Sequence, residues 1–158
     1  MAASSSADPH LDPAVERALA VALYNGTWDL MLTPDRTVAQ NDTMIHRAHA
    51  SRHHWAAVGD AANLARGEWL CSRVYTILGR GEPALWHARR CLEICEENGI
   101  GDWDIAGAYE AMARASAASG DSRATRVWLG RAREACAAIA DPEDREHIEE
   151  DLATIPAV

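Results

Sequence analysis

The chain has 158 residues, of which 48% are hydrophobic and 25% are charged, so it is long enough and apolar enough to bury one core. Its formal net charge is -9. Proteins that wrap a phosphate backbone need a net basic face to release counterions, so nucleic acid is not an expected partner.

The first ten residues contain no apolar run and no basic flank, so we expect residues 1–11 to be a disordered polar tail rather than a secretory signal. No apolar run approaches the roughly 18 residues of a membrane span, and no membrane partner is expected. The four cysteines, Cys71, Cys91, Cys95 and Cys136, follow helical patterns rather than a disulfide framework. We therefore expect reduced thiols, a cytoplasmic protein and one domain over residues 12–158.

The first helical pattern begins at Asp12-Pro13, a capping residue followed by proline. Asn25-Gly26-Thr27 is expected to interrupt it, with a short continuation to Leu32. Thr33-Pro34-Asp35 then predicts the start of a second helix, which Gly59-Asp60 ends. A third helix is predicted from about Ala61 to Leu78.

Four more helices are predicted after Gly79. They begin at Glu82-Pro83, Trp103, Gly120-Asp121 and Asp141-Pro142. In the last of them Ile148, Leu152 and Ile155 form one apolar stripe, and acidic residues fill most of the other positions. A helix with one apolar and one acidic face is typical of the terminal cap of a repeat array.

A unit of helix, glycine-led turn and helix occurs twice, and Gly79 and Gly120 are the turn glycines of the two copies. A fixed spacing of this size indicates stacked supersecondary units. The residues around the first turn, Tyr75, Gly79, Ala84, Ala88 and Cys91, resemble the tetratricopeptide repeat (TPR), although the spacing of the copies is longer than the period usual for that family. The resemblance implies an all-α fold: an α-solenoid of antiparallel helix hairpins, about three TPR-like units plus a C-terminal capping helix. It also implies a concave groove that binds peptides or other proteins.

Two charged residues fall inside apolar stripes. Arg52 lies in the middle of the stripe of the second helix, and Glu68 lies in that of the third. Because a buried unpaired charge costs several kcal/mol, each needs a partner. The favoured interpretation is an ion pair between them, and the alternative is a bound ligand.

Histidines accompany Arg52 on the second helix. His49 and His53, one helical turn apart, can chelate one metal ion, and Glu68 can add a carboxylate oxygen. Such a set suits Zn, Fe or Mn, and His87 is a further candidate ligand. The favoured interpretation remains an ordinary helix edge, without cofactor, because no established metal motif is present.

Three functional hypotheses follow. The leading one is an interaction module that binds a protein or peptide in its concave groove and is not an enzyme. The alternatives are a small metal-dependent or acid-base enzyme and a sensor of pH or of a small-molecule ligand. A homodimer through the exposed end faces is also expected. The groove candidates are Arg52, Glu68, His49, His53, His87 and Trp69, and no catalytic residue is assigned.

Overall fold

The computed structural model describes residues 11–156, so the predicted tail lies outside the described residues except for Leu11. Within that range the chain forms seven α-helices and no β-strand, which confirms the all-α prediction. The helices are α1 (Pro13–Met31), α2 (Val38–Val58), α3 (Ala61–Ile77), α4 (Gly81–Glu97), α5 (Asp102–Ala118), α6 (Ser122–Ala137) and α7 (Pro142–Ala153). Each of these seven helices is too short or too polar to span a lipid bilayer.

The helices pack in chain order as a two-layer solenoid. Three hairpins, α1/α2, α3/α4 and α5/α6, are followed by the single helix α7. The odd-numbered helices form one layer, in which α3 contacts α1 and α5, and α5 contacts α7. Helices α2 and α4 both contact α3. The predicted solenoid of hairpins with a final capping helix is therefore confirmed.

Glycines end three of the helices. Gly79, Gly99 and Gly120 have φ angles of 68°, 63° and 76°, a region that glycine enters without strain. At the first turn the Gly79 amide donates to the Thr76 carbonyl, and the Arg80 amide donates to the Tyr75 carbonyl. The same pair of bonds follows the other two glycines, so each of these turns is a Schellman motif.

The predicted interruption of α1 at Asn25-Gly26-Thr27 is wrong, because the helix is continuous from Pro13 to Met31. Thr27 is fully buried and its hydroxyl donates to the Leu23 carbonyl, which satisfies that group inside the helix. Gly26 leaves room for Arg47, whose Nη1 donates to the Gly26 carbonyl at 3.1 Å. Contacts with α2 therefore outweigh the weak helix propensity of these residues.

The predicted start of α2 at Thr33-Pro34-Asp35 is also wrong, because the helix begins at Val38. Thr37 and Gln40 form a reciprocal capping box at that point. Arg36 donates through Nη1 to the carbonyls of Leu30, Met31 and Thr33, and so caps the end of α1. These bonds hold residues 33–36 as a connection between the two helices.

Small residues bring α3, α4 and α5 close together. Ala84, Ala88, Ala108 and Ala115 are fully buried in one core cluster with Cys91 and Cys95. All four cysteines are buried and free, as expected. Ile148 and Leu152 of α7 are buried at the other end of the solenoid, as predicted. Ile155 is buried with them but lies just after the helix ends.

Candidate functional site

Two groups of side chains lie on different sides of α3. One group, which we term the His-Glu cluster, joins α3 to α2 and α4. It consists of His49, Arg52, Glu68, Cys71, Tyr75 and His87. The other group lines a cavity formed mainly by the odd-numbered helices.

The centre of the His-Glu cluster is the carboxylate of Glu68, which is almost completely buried. Arg52 donates through Nε to Glu68 Oε1 at 2.9 Å, so the ion pair expected from the sequence is present. Gly67 makes this approach sterically feasible, because a Cβ atom there would lie 2.8 Å from Cδ of Arg52 and 3.3 Å from its Cα. The missing side chain of Gly67 thus lets α2 approach α3 at this point.

The second oxygen of Glu68 reaches the next hairpin. Nδ1 of His87 donates to Glu68 Oε2 at 2.7 Å. The ring of His87 stacks on that of Tyr75, with 5.6 Å between the ring centroids. The rings of His49 and His87 pack edge to face, with 5.1 Å between their centroids. His49 Nε2 and the Tyr75 hydroxyl are 2.9 Å apart and share a hydrogen bond. Three helices are therefore connected through a single carboxylate and two imidazole rings.

Burial and charge set the protonation states of the cluster. Burial lowers the pKa of His49, and the neighbouring His87 lowers it further. Burial alone would raise the pKa of Glu68, but the bond from His87 and the charge of Arg52 outweigh it and lower the pKa. Burial raises the pKa of Cys71 to about 12, with a contribution from the negative charge of Glu68. Near neutral pH the cluster thus contains an ionised Glu68, a neutral His49 and a protonated Cys71 thiol.

Three residues of the cluster have metal-ligating atoms close together. One such atom each from His49, Cys71 and His87 lies within 4.8 Å of the other two. The sequence suggested His49, His53 and Glu68 instead, but His53 is exposed and its ring contacts that of His54. Glu68 is engaged by Arg52 and His87. The structure therefore groups His49 with Cys71 and His87 rather than with His53.

The second group surrounds a cavity of about 90 Å3, which we term the aromatic cavity. Its aromatic walls are Tyr24 and Trp28 of α1, Trp69 of α3 and Trp103 of α5. Trp28 and Trp69 stack with 5.8 Å between ring centroids. Five lining residues are shared with an outer groove of about 440 Å3 that also includes Asp144 of α7. The cavity thus continues into a larger depression at the protein surface.

The buried carboxylate of Glu110 binds Trp69 and two arginine side chains beside the cavity. Glu110 is 1% exposed and accepts hydrogen bonds from Trp69 Nε1 at 3.1 Å, Arg73 Nη1 at 2.9 Å and Arg114 Nε at 2.5 Å. Arg73 also pairs with Asp151 of α7 at 2.8 Å. These bonds fix the indole of Trp69 and connect α3, α5 and α7 behind the cavity.

A further ion pair lies beside Trp103. Arg66 donates to both oxygens of Asp104, at 2.8 and 2.9 Å, which is the strong bidentate geometry. The Arg66 guanidinium carbon lies 4.3 Å from the centre of the Trp103 ring. A cation therefore already occupies one face of this indole within the fold.

The structure distributes the predicted groove residues over different surfaces. Only Trp69 lines the aromatic cavity, whereas Arg52, Glu68, His49 and His87 belong to the His-Glu cluster on the side of α3 that faces α2 and α4. Trp86 is exposed on α4, outside the aromatic cavity.

Sequence reasoning missed most of the residues around the cavity. The missed residues are Tyr24, Arg66, Arg73, Trp103, Asp104, Glu110, Arg114 and Asp151. One available signal was Glu110, a charge within the apolar run from Ala108 to Ala113. The repeat offered another, because Arg73 and Arg114 hold equivalent positions in its two copies and both bind Glu110. Tryptophans scattered one per helix gave no comparable signal.

Comparison of this chain with protein-family models, with curated proteins and with solved structures finds no match.

Proposed function

We propose that this protein is a TPR-like interaction module that binds a peptide segment of a partner protein in the aromatic cavity and its outer groove. The observation that carries the proposal is the position of three tryptophans, Trp28, Trp69 and Trp103, around a depression instead of inside a closed core. Tryptophan is enriched at the centres of protein interfaces, because it offers a large apolar surface together with a polar N–H group.

The charges around the groove favour a partner segment with a basic residue. Asp144 lines the outer groove, and the chain has a formal net charge of -9. The contact of Arg66 with Trp103 shows how a guanidinium packs on an indole ring here. We therefore infer a segment in which an apolar anchor enters the cavity and a neighbouring Lys or Arg faces Asp144.

Selection from a random peptide library displayed on phage tests this proposal. We expect the wild-type protein to enrich peptides that pair an apolar residue with a basic one, and Trp28→Leu to lose that enrichment. Trp86→Leu is the matched control, because it alters an exposed tryptophan outside the cavity. Enrichment of acidic peptides, or equal enrichment by the Trp28→Leu variant, contradicts the proposal.

Cellular location and assembly are part of the same proposal. Four buried free thiols support a reducing compartment such as the cytoplasm. A homodimer remains a prediction from the small number of repeats. Light scattering during size-exclusion chromatography tests it, because the molar mass of a dimer would be twice the monomer mass of 17.2 kDa.

A further inference from the structure

We propose that His49, Cys71 and His87 form a binding site for a zinc-class divalent metal ion, with Glu68 as the positioning residue for His87. This site is separate from the aromatic cavity and does not depend on peptide binding. It also differs from the ligand set that sequence spacing alone suggests.

The ligand atoms are of the right type and nearly in place. Cys71 would bind as a thiolate, and its thiol proton would be released to solvent when the metal binds. Two imidazoles and a thiolate favour zinc and related borderline or soft ions over magnesium or calcium. Zinc binds nitrogen at about 2.0–2.1 Å and sulfur at about 2.3 Å, so ligand atoms of a tetrahedral site lie roughly 3.3–3.8 Å apart. The three candidate atoms lie within 4.8 Å of one another. Side-chain rotations that move them by about 1 Å close the set.

The surroundings match the outer shell of a histidine metal site. A ligating histidine usually donates its other ring N–H to an oxygen acceptor, which fixes the orientation of the ring. Nδ1 of His87 donates to Glu68, and Arg52 holds that carboxylate in turn. The Tyr75 hydroxyl engages Nε2 of His49. Each imidazole therefore keeps one ring nitrogen for a metal.

The next hairpin shows that the fold does not demand these side chains. In the second copy of the repeat, the positions equivalent to Glu68, Cys71 and His87 are held by Tyr109, Met112 and Trp128. Tyr109 and Trp128 stack there with 6.0 Å between centroids. Because buried polar groups often stabilise a fold less than well-packed apolar groups, the polar set in the first hairpin calls for another role, and metal binding provides one.

Titration of the metal-free, reduced protein with Co²⁺ tests the site. We expect a thiolate-to-cobalt charge-transfer band that saturates at one equivalent and disappears when Zn²⁺ is added. Cys71→Ser is expected to abolish the band. Cys136→Ser should keep it, because that buried cysteine belongs to the core cluster beside α7. Absence of the band in the wild type, or its retention in Cys71→Ser, overturns the proposal.

Two further variants decide the question if Cys71→Ser does not fold. His49→Gln, in a half-buried position, is expected to lower cobalt affinity by more than the roughly 10- to 100-fold typical of an outer-shell change. Glu68→Gln should keep the band and weaken binding by about 10- to 100-fold. His53→Gln is the control and should bind as the wild type does. Wild-type affinity in His49→Gln, or a loss confined to His53→Gln, overturns the proposed ligand set.

Discussion

The hairpins α3/α4 and α5/α6 share a backbone plan but differ in the chemistry at equivalent positions. The first hairpin pairs Glu68 with His87, and the second stacks Tyr109 on Trp128. The stacked pair is uncharged, whereas the carboxylate of the first pair is also bound by Arg52 from a third helix. The comparison shows that hairpins of this backbone hold either set at these positions, which agrees with the proposal that the polar set has a role besides folding.

The largest expected effect comes from the buried carboxylate of the second hairpin. Glu110→Ala leaves Arg73, Arg114 and Trp69 without their shared acceptor. Removal of one partner from a buried pair typically costs about 3–5 kcal/mol of unfolding free energy. Urea denaturation measures the loss, and the exposed Glu149→Ala should change stability by no more than about 0.5 kcal/mol. A loss for Glu110→Ala as small as that of the control would show that the network does not stabilise the fold.

Glu68→Ala in the first hairpin should cost less. Its partner Arg52 keeps 25% of its side chain exposed and can still be hydrated, so we expect a loss of about 2–3 kcal/mol. Glu93→Ala breaks an exposed ion pair with Arg90 and should cost about 0–1 kcal/mol. Urea denaturation measures both variants. Equal losses of unfolding free energy for Glu68→Ala and Glu93→Ala would contradict the argument that burial sets the cost.

Two glycines inside helices provide a finer test of the comparison. Gly67→Ala should destabilise by about 1–3 kcal/mol, because its Cβ would overlap Arg52. In the second hairpin the equivalent residue is Ala108, which is fully buried without difficulty. If Arg52 is the obstacle, an Arg52→Ala background should reduce the loss in a double-mutant cycle.

Gly107→Ala is the matched control and the smallest expected effect. The nearest atoms to its Cβ would be 3.9 to 4.0 Å away, which is ordinary contact. Because alanine favours helix over glycine, we expect a gain of up to about 1 kcal/mol. Thermal unfolding compares Gly67→Ala and Gly107→Ala directly. Destabilisation by Gly107→Ala would show that the room around the added Cβ does not determine the effect on stability.

The sequence predicted those features that local patterns determine. Turn glycines and capping or proline residues placed the starts of five of the seven described helices, α3 to α7, to within a residue or two. One error involves Gly26, where the contact with Arg47 of α2 outweighs local propensity. The other involves Arg36, whose bonds to carbonyls at the end of α1 hold the connection outside either helix. Local periodicity contains no information about such contacts.

The candidate sites were harder to predict, because they depend on which helix faces which. Arg52 and Glu68 could be paired, since each interrupts an apolar stripe and needs a partner. Spacing then joined His53 to His49, whereas the fold places metal-ligating atoms of His87 and Cys71 within 4.8 Å of one on His49. The aromatic cavity draws residues from five helices, and no local motif connects them.

The most direct test of the central claim transfers the chemistry of the second hairpin into the first. In one combined variant, Glu68→Tyr, Cys71→Met and His87→Trp introduce the residues of the second hairpin, and Arg52→Met removes the charge that would otherwise lose its partner. Differential scanning calorimetry in the absence of metal should show a melting temperature equal to or above that of the wild type, and added Zn²⁺ should stabilise only the wild type. A variant that fails to fold, or that gains the same stability from Zn²⁺, would contradict the claim that this polar cluster is present for a ligand and not for the fold.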